Sequence, residues 1–107
     1  MNFQKLIEFR YLRDVVIILA IQKLDYSVSQ ALEIKVEQNL VFSSERDNLL
    51  FLEYSNCRNT IFPNSNFLFT TEDGEHYLTK KFFQNTAKLL LQAGVKTSPR
   101  HLVVCQN

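Results

Sequence analysis

Two cysteines, two histidines, two glycines, two prolines and no tryptophan leave this 107-residue chain poor in the residue types that usually mark a specialised site. Cys57 and Cys105 form no Cys-x-x-Cys pair, and His76 and His101 lie far apart in sequence. A metal centre needs three or four convergent ligands, so none is expected, and no cofactor is implied. Both thiols are expected to be ordinary and reduced. The longest unbroken apolar run, Val15 to Ile21, has seven residues, far short of the ~20 that span a bilayer. It stands too far from Met1 for a signal peptide, and Tyr26-Ser27-Val28-Ser29 is not a small-residue cleavage site. A cytoplasmic location with no membrane partner is the expectation. Low-complexity stretches and internal repeats are also missing. With 46% hydrophobic and 21% charged residues, the chain lacks the composition of a disordered segment and is large enough for one domain with one core.

Acidic residues are absent from the last third. From His76 to Asn107 the sequence carries Lys80, Lys81, Lys88, Lys96 and Arg100 and no Asp or Glu. Residues 1–75 hold the other seven basic and all eleven acidic residues, a balance of 7 − 11 = −4. Such asymmetry can mark a nucleic-acid face, because each Lys or Arg on a phosphate releases counterions. A solvated helix face rich in Lys is the alternative.

Along the chain, Val15 to Ile21 is rich in β-branched residues, which favours a strand by propensity, but the length of the surrounding segment predicts a buried helix. Ser27 or Ser29 is placed to cap a second helix with Val28, Ala31, Leu32 and Ile34 on its apolar side. Asn39 to Phe42 and Leu49 to Leu52 read as strands around a turn at Ser44 to Asn48. A further turn at Ser55-Asn56-Cys57 leads to a third strand from Arg58 to Phe62, ended by Pro63. The expectation is therefore an α+β fold, mainly helical, with a small three-stranded antiparallel sheet. Phe67-Leu68-Phe69 reads as an apolar plug and Asp73-Gly74 as a turn. Thr79 is a plausible cap for a helix running to about Ala93 and closed by Gly94. On that helix Phe83, Ala87 and Leu90 share one face, while Lys81, Gln84, Asn85, Lys88 and Gln92 line the other. Ser98-Pro99 reads as the start of a further helix. Phe67, Phe69, Phe82 and Phe83 fit core packing better than base stacking, and Glu72, Asp73 and Glu75 fit a solvated turn. His76 and His101 are read as structural.

Three segments carry a family likeness. Arg13-Asp14 before an apolar helix, followed by Asp25-Tyr26-Ser27-Val28-Ser29-Gln30-Ala31-Leu32, is similar to the Gly-Leu-Arg-x-Ser-Glu-x-Leu region of tyrosine recombinases. Phe67-Leu68-Phe69, with Tyr77-Leu78-Thr79 after a turn, resembles the stretch ahead of that family's long helix. Gly94 to Leu102, through Ser98-Pro99-Arg100-His101, resembles the approach to its His-x-x-Arg motif. The likeness spans residues 11–104 and implies the opening part of a recombinase catalytic domain.

The same likeness implies that the chemistry has been lost. The family attacks a DNA phosphate with a Tyr hydroxyl while two Arg, a His and a Lys stabilise the transition state. The first family Arg falls on Ser27, which cannot form a bidentate phosphate clamp. No Lys occurs between Lys35 and Lys80, where the family places one in its sheet. In the His-x-x-Arg register Arg100 stands at the His and Val103 at the Arg. Every Tyr precedes the motif. What the resemblance implies is a catalytically inactive, integrase-like protein. It would contact DNA weakly and without sequence preference through Lys80, Lys81, Lys88, Lys96 and Arg100, or regulate DNA recombination by an active relative, or else serve as a protein-interaction module that uses the recombinase frame without binding DNA. Leu102, Val103 and Val104 near the chain end are the expected surface of a homodimer, or else the tail folds back across its own core and buries Cys105.

Overall fold

The computed structural model describes residues 3–92, with side chains over 4–87. Its helices are α1 (Phe3–Leu24), α2 (Val28–Leu32), α3 (Glu45–Ile61) and α4 (Thr79–Gln92). The Val15 to Ile21 run is helical. On α1, Phe9, Arg13, Val16, Ile17, Ala20 and Ile21 are buried, the three- and four-residue spacing of one helix face. Burial of that face outweighs the weak strand propensity of its β-branched residues. Asp25 stops the helix in the left-handed region at φ 59°, and the Tyr26 amide bonds back to Ala20 O at 3.3 Å. Ser27 then caps α2 in a capping box. Gln30 N donates to Ser27 Oγ at 3.1 Å, and Ser27 N donates to Gln30 Oε1 at 3.0 Å.

The expected three-stranded sheet is not there. Among the described residues there is no strand, only isolated antiparallel bridges pairing Lys35 with Phe67 and Thr70 with His76. The fold is mainly helical, not α+β. Both segments read as the second and third strands, and the turn assigned between them, belong to α3, with Phe62 as its C-cap. Ser44 is the N-cap, and Glu45 and Asp47 occupy the first turn, where carboxylates favour the positive end of the helix dipole. Asn39 to Phe42 runs without regular structure. Asn48 ties it to α3 from both sides, accepting from Phe42 N at 2.8 Å and donating to Phe42 O at 2.9 Å.

α1 packs mainly on α3, and α2 bridges α1 and α4. The core contains Phe9, Ile17, Leu32, Tyr54, Leu68, Phe69, Tyr77 and Phe82. Aromatic contacts join its parts: Phe9 lies 5.7 Å from Tyr54 and 5.4 Å from Phe62, and Tyr54 stacks 5.5 Å from Phe69. Residues 65–70 cross this core as a strap. The Phe67-Leu68-Phe69 plug buries Leu68 and Phe69, while Phe67 stays half-buried. A turn follows, closed by Thr71 N to Glu75 O at 2.8 Å and Gly74 N to Thr71 O at 3.0 Å, with Gly74 at φ +82°.

Candidate functional site

An extended segment without a sheet needs other donors for its buried carbonyls, and here arginine and tyrosine side chains supply them. Arg58 on α3 donates from Nε and Nη2 to Phe67 O at 3.2 and 3.0 Å, and from Nη2 to Ser65 O. Tyr54, one turn earlier, donates to Leu68 O at 2.6 Å. From α1, Arg13 donates to Thr70 O at 3.0 Å. These three side chains hold the strap together with its backbone bonds to the 34–36 segment, Val36 N to Asn66 O at 2.8 Å and Leu68 N to Ile34 O at 2.9 Å.

Around Arg13 the network widens. Its guanidinium donates to Asp14 at 3.0 and 3.4 Å and lies 3.9 Å from the centre of the Tyr77 ring. Tyr77 OH donates to Asp14 Oδ1 at 3.1 Å and accepts from Asn85 Nδ2 at 2.8 Å. One chain of polar contacts therefore runs from α1 to the middle of α4. Burial pushes the Asp14 carboxyl up from its ordinary value, against the pull of Arg13 and Tyr77. For Arg13, burial works against the charged form, but Asp14, Tyr77 and Glu72 together outweigh it and the guanidinium is held charged. Burial likewise pushes the Tyr54 and Tyr77 hydroxyls well above the ordinary tyrosine value. Among the described residues Arg58 has no carboxylate partner, and burial lowers its pKa. Beside the network, Thr70 Oγ1 is buried and makes no hydrogen bond.

These groups resemble a catalytic cluster in composition, but their accessibility argues otherwise. Arg13 is 0% and Arg58 1% exposed, so neither can reach a phosphate. Ser27, which the resemblance sets at a recombinase Arg, is exposed, and its hydroxyl is engaged in the α2 cap. Arg100 and Val103 lie outside the described residues. So do Lys96, His101 and Cys105, the helix start at Ser98-Pro99, and the expected dimer surface at Leu102 to Val104.

Of the five expected DNA contacts, the structure brings two together. Lys80 and Lys81 are both exposed at the start of α4, whose first turn holds no acidic residue. Neither makes an ion pair among the described residues. Lys88 follows two turns after Lys81 on the same helix, but its side chain is outside the described set. The acidic turn is less solvated than expected, because Glu72 pairs with Arg10 at 3.0 Å and approaches Arg13 to 3.8 Å. His76 stacks on Phe67 with ring centres 3.9 Å apart and donates from Nε2 to Leu32 O at 2.9 Å. Lys35 Nζ lies 3.8 Å from the centre of the same Phe67 ring.

Sequence reasoning missed Arg58, Tyr54, Tyr77 and Asn85 and took Arg13-Asp14 only as a family signature. The available signal was Arg13 itself, spaced four residues from Phe9 and Ile17 on the apolar side of α1. Among the described residues, no group of three or more His, Cys, Asp or Glu is placed to hold a metal. No helix in that set is long and apolar enough to cross a membrane. An open depression of about 320 Å³ between the end of α3 and the Asp73-Gly74 turn is lined by no basic side chain. No family model matches this chain, and neither the curated proteins nor the solved structures provide a match.

Proposed function

We propose that this chain is a non-enzymatic, integrase-like cytoplasmic module that contacts DNA weakly and without sequence preference through the lysines of α4. The observation that carries the reading is the pair Lys80 and Lys81, exposed side by side on a helix start that no acidic residue neutralises. Cations at that end of a helix oppose its dipole, so their placement costs a little stability that a bound phosphate would offset. The role of Ser27 in the cap supports the non-enzymatic part, since its hydroxyl is engaged within α2. Lys88, Lys96 and Arg100 would extend the contact.

Fluorescence anisotropy with a labelled duplex at several salt concentrations tests the binding. Affinity should fall with rising salt, and Lys81→Glu with Lys88→Glu should abolish it. Binding that survives the double change would place the contact elsewhere. No binding at low salt would favour a protein-interaction module that ignores DNA. A suicide-nicked duplex tests the rest: a covalent adduct lost on mutating Tyr54 or Tyr77 would overturn the non-enzymatic reading.

A further inference from the structure

α3 is inverted. Its fully buried residues are Tyr54 and Arg58, while Leu49 and Leu52 are 54% and 53% exposed. At 100° per residue, Glu45, Leu49, Leu52 and Asn56 form a stripe on the side away from Tyr54 and Arg58. The spacing of four, three and four residues is that of a coiled-coil seam. Arg46 and Glu53 flank the stripe on one side, seven residues apart, both exposed and without an ion pair among the described residues. At the other flank stands Asn48, whose grip on Phe42 fixes the adjoining backbone beside the exposed Val41.

We infer that α3 pairs with α3 of a second copy of this chain, antiparallel about a two-fold axis. The charges select that occupant and that direction. Two-fold symmetry requires each contact to occur twice with its partners exchanged. Running the helices antiparallel with Leu49 against Leu52 brings Arg46 of each copy to Glu53 of the other. The same register sets Glu45 against Asn56, an acceptor against a side-chain amide donor. A parallel pair would instead set Arg46 and Glu53 of each copy against the partner's opposite flank, that of Asn48 and Ser55, where neither meets an opposite charge. The described side chains carry the apolar and charged complement of this contact without the Lys80–Lys81 surface, so the inference is independent of DNA binding. A single helix pair of this length buries roughly 1,000 Å² in total, the low end of specific interfaces, so the association is reversible and of micromolar strength or weaker.

Sedimentation velocity of the full chain, from low micromolar to near-millimolar concentration, should show a reversible monomer–dimer equilibrium. Leu52→Lys should remove it. Arg46→Glu and Glu53→Arg should each weaken it roughly tenfold, because symmetry converts two attractive contacts into two repulsive ones. The two reversals combined should restore the original affinity. All these sites are exposed, so circular dichroism melts should match the parent chain, and the charge variants decide the matter if Leu52→Lys fails to fold. A monomer at every concentration, a dimer indifferent to Leu52→Lys, or a combined variant no tighter than either single reversal would overturn the inference.

Discussion

Replacing Arg13 by methionine keeps most of the aliphatic volume of α1's inner face but leaves Asp14, 4% exposed, without the cation that pairs with it. Removing one partner of a buried ion pair costs about 3–5 kcal/mol. Asp14 has an escape, since it can take a proton. From its ordinary value of 3.8, protonation at pH 7 costs about 4 kcal/mol at 1.36 kcal/mol per unit. The cheaper route caps the loss, and the parent already bears part of it because burial raises its Asp14 carboxyl, so Arg13→Met should destabilise by at most about 4 kcal/mol at pH 7, a large share of a domain's ~5–15 kcal/mol. In the variant the folded-state pKa of Asp14 lies above its unfolded value. Stability is then retained below the unfolded pKa and lost as pH rises towards the folded one. The penalty should accordingly shrink to about 1–2 kcal/mol near pH 4, where the orphaned Thr70 carbonyl and lost packing remain. Urea melts of parent and variant at pH 4, 5.5 and 7 measure this directly. Adding Asp14→Leu should recover part of the loss at pH 7, because it removes the stranded charge. A penalty under about 1 kcal/mol at pH 7, or one that ignores pH, would refute the coupling.

Three other outcomes are expected. Tyr54 and Tyr77 have hydroxyl pKa values raised above 10.0 in the fold, so their contribution is intact below pH 10 and lost above it. Denaturant melts should weaken there by up to about 1.4 kcal/mol per pH unit for each tyrosine, and a flat profile to pH 11 would contradict their burial. Ser27→Ala removes the α2 capping box and should cost about 1 kcal/mol, with Ser27→Gly costing less; equal thermal stability in all three proteins would deny the cap its role. Gly74→Ala puts a Cβ 2.8 Å from Phe62 Cδ1 at φ +82° and should cost at least about 1–2 kcal/mol, so a raised melting temperature would refute the tight turn.

Much of the helical frame was legible in the sequence. The length of the segment around Val15 to Ile21 gave a helix against its propensity, and Ser27 and Thr79 marked the approximate starts of α2 and α4. α3 was not legible, because reading a helix from hydrophobic period presumes that its apolar side faces inward. Leu49-Leu50-Phe51-Leu52 has no such period, and the inward positions belong to a tyrosine and an arginine. Local chemistry pointed the other way: Ser44 before Glu45 and Asp47 is a helix start, and no β-branched residue occurs from Glu45 to Asn59. Of the candidate site, Lys80 and Lys81 could be read from charge alone. The buried arginine network could not, because its carbonyl acceptors carry no side-chain signature.

The strap's donors differ in how much chain they enclose. Arg58 reaches Ser65 and Phe67 across seven and nine residues, and Tyr54 reaches Leu68 across fourteen. Arg13 reaches Thr70 across 57, and Tyr77 reaches Asp14 across 63. Closing the longer loops costs roughly 1.6 kcal/mol more chain entropy than closing a nine-residue one. Helix α3 and the strap can therefore assemble as a local unit before α1 arrives. The Arg13–Asp14 pair is the long-range fastening that ties α1 to the segment from Thr70 to Tyr77.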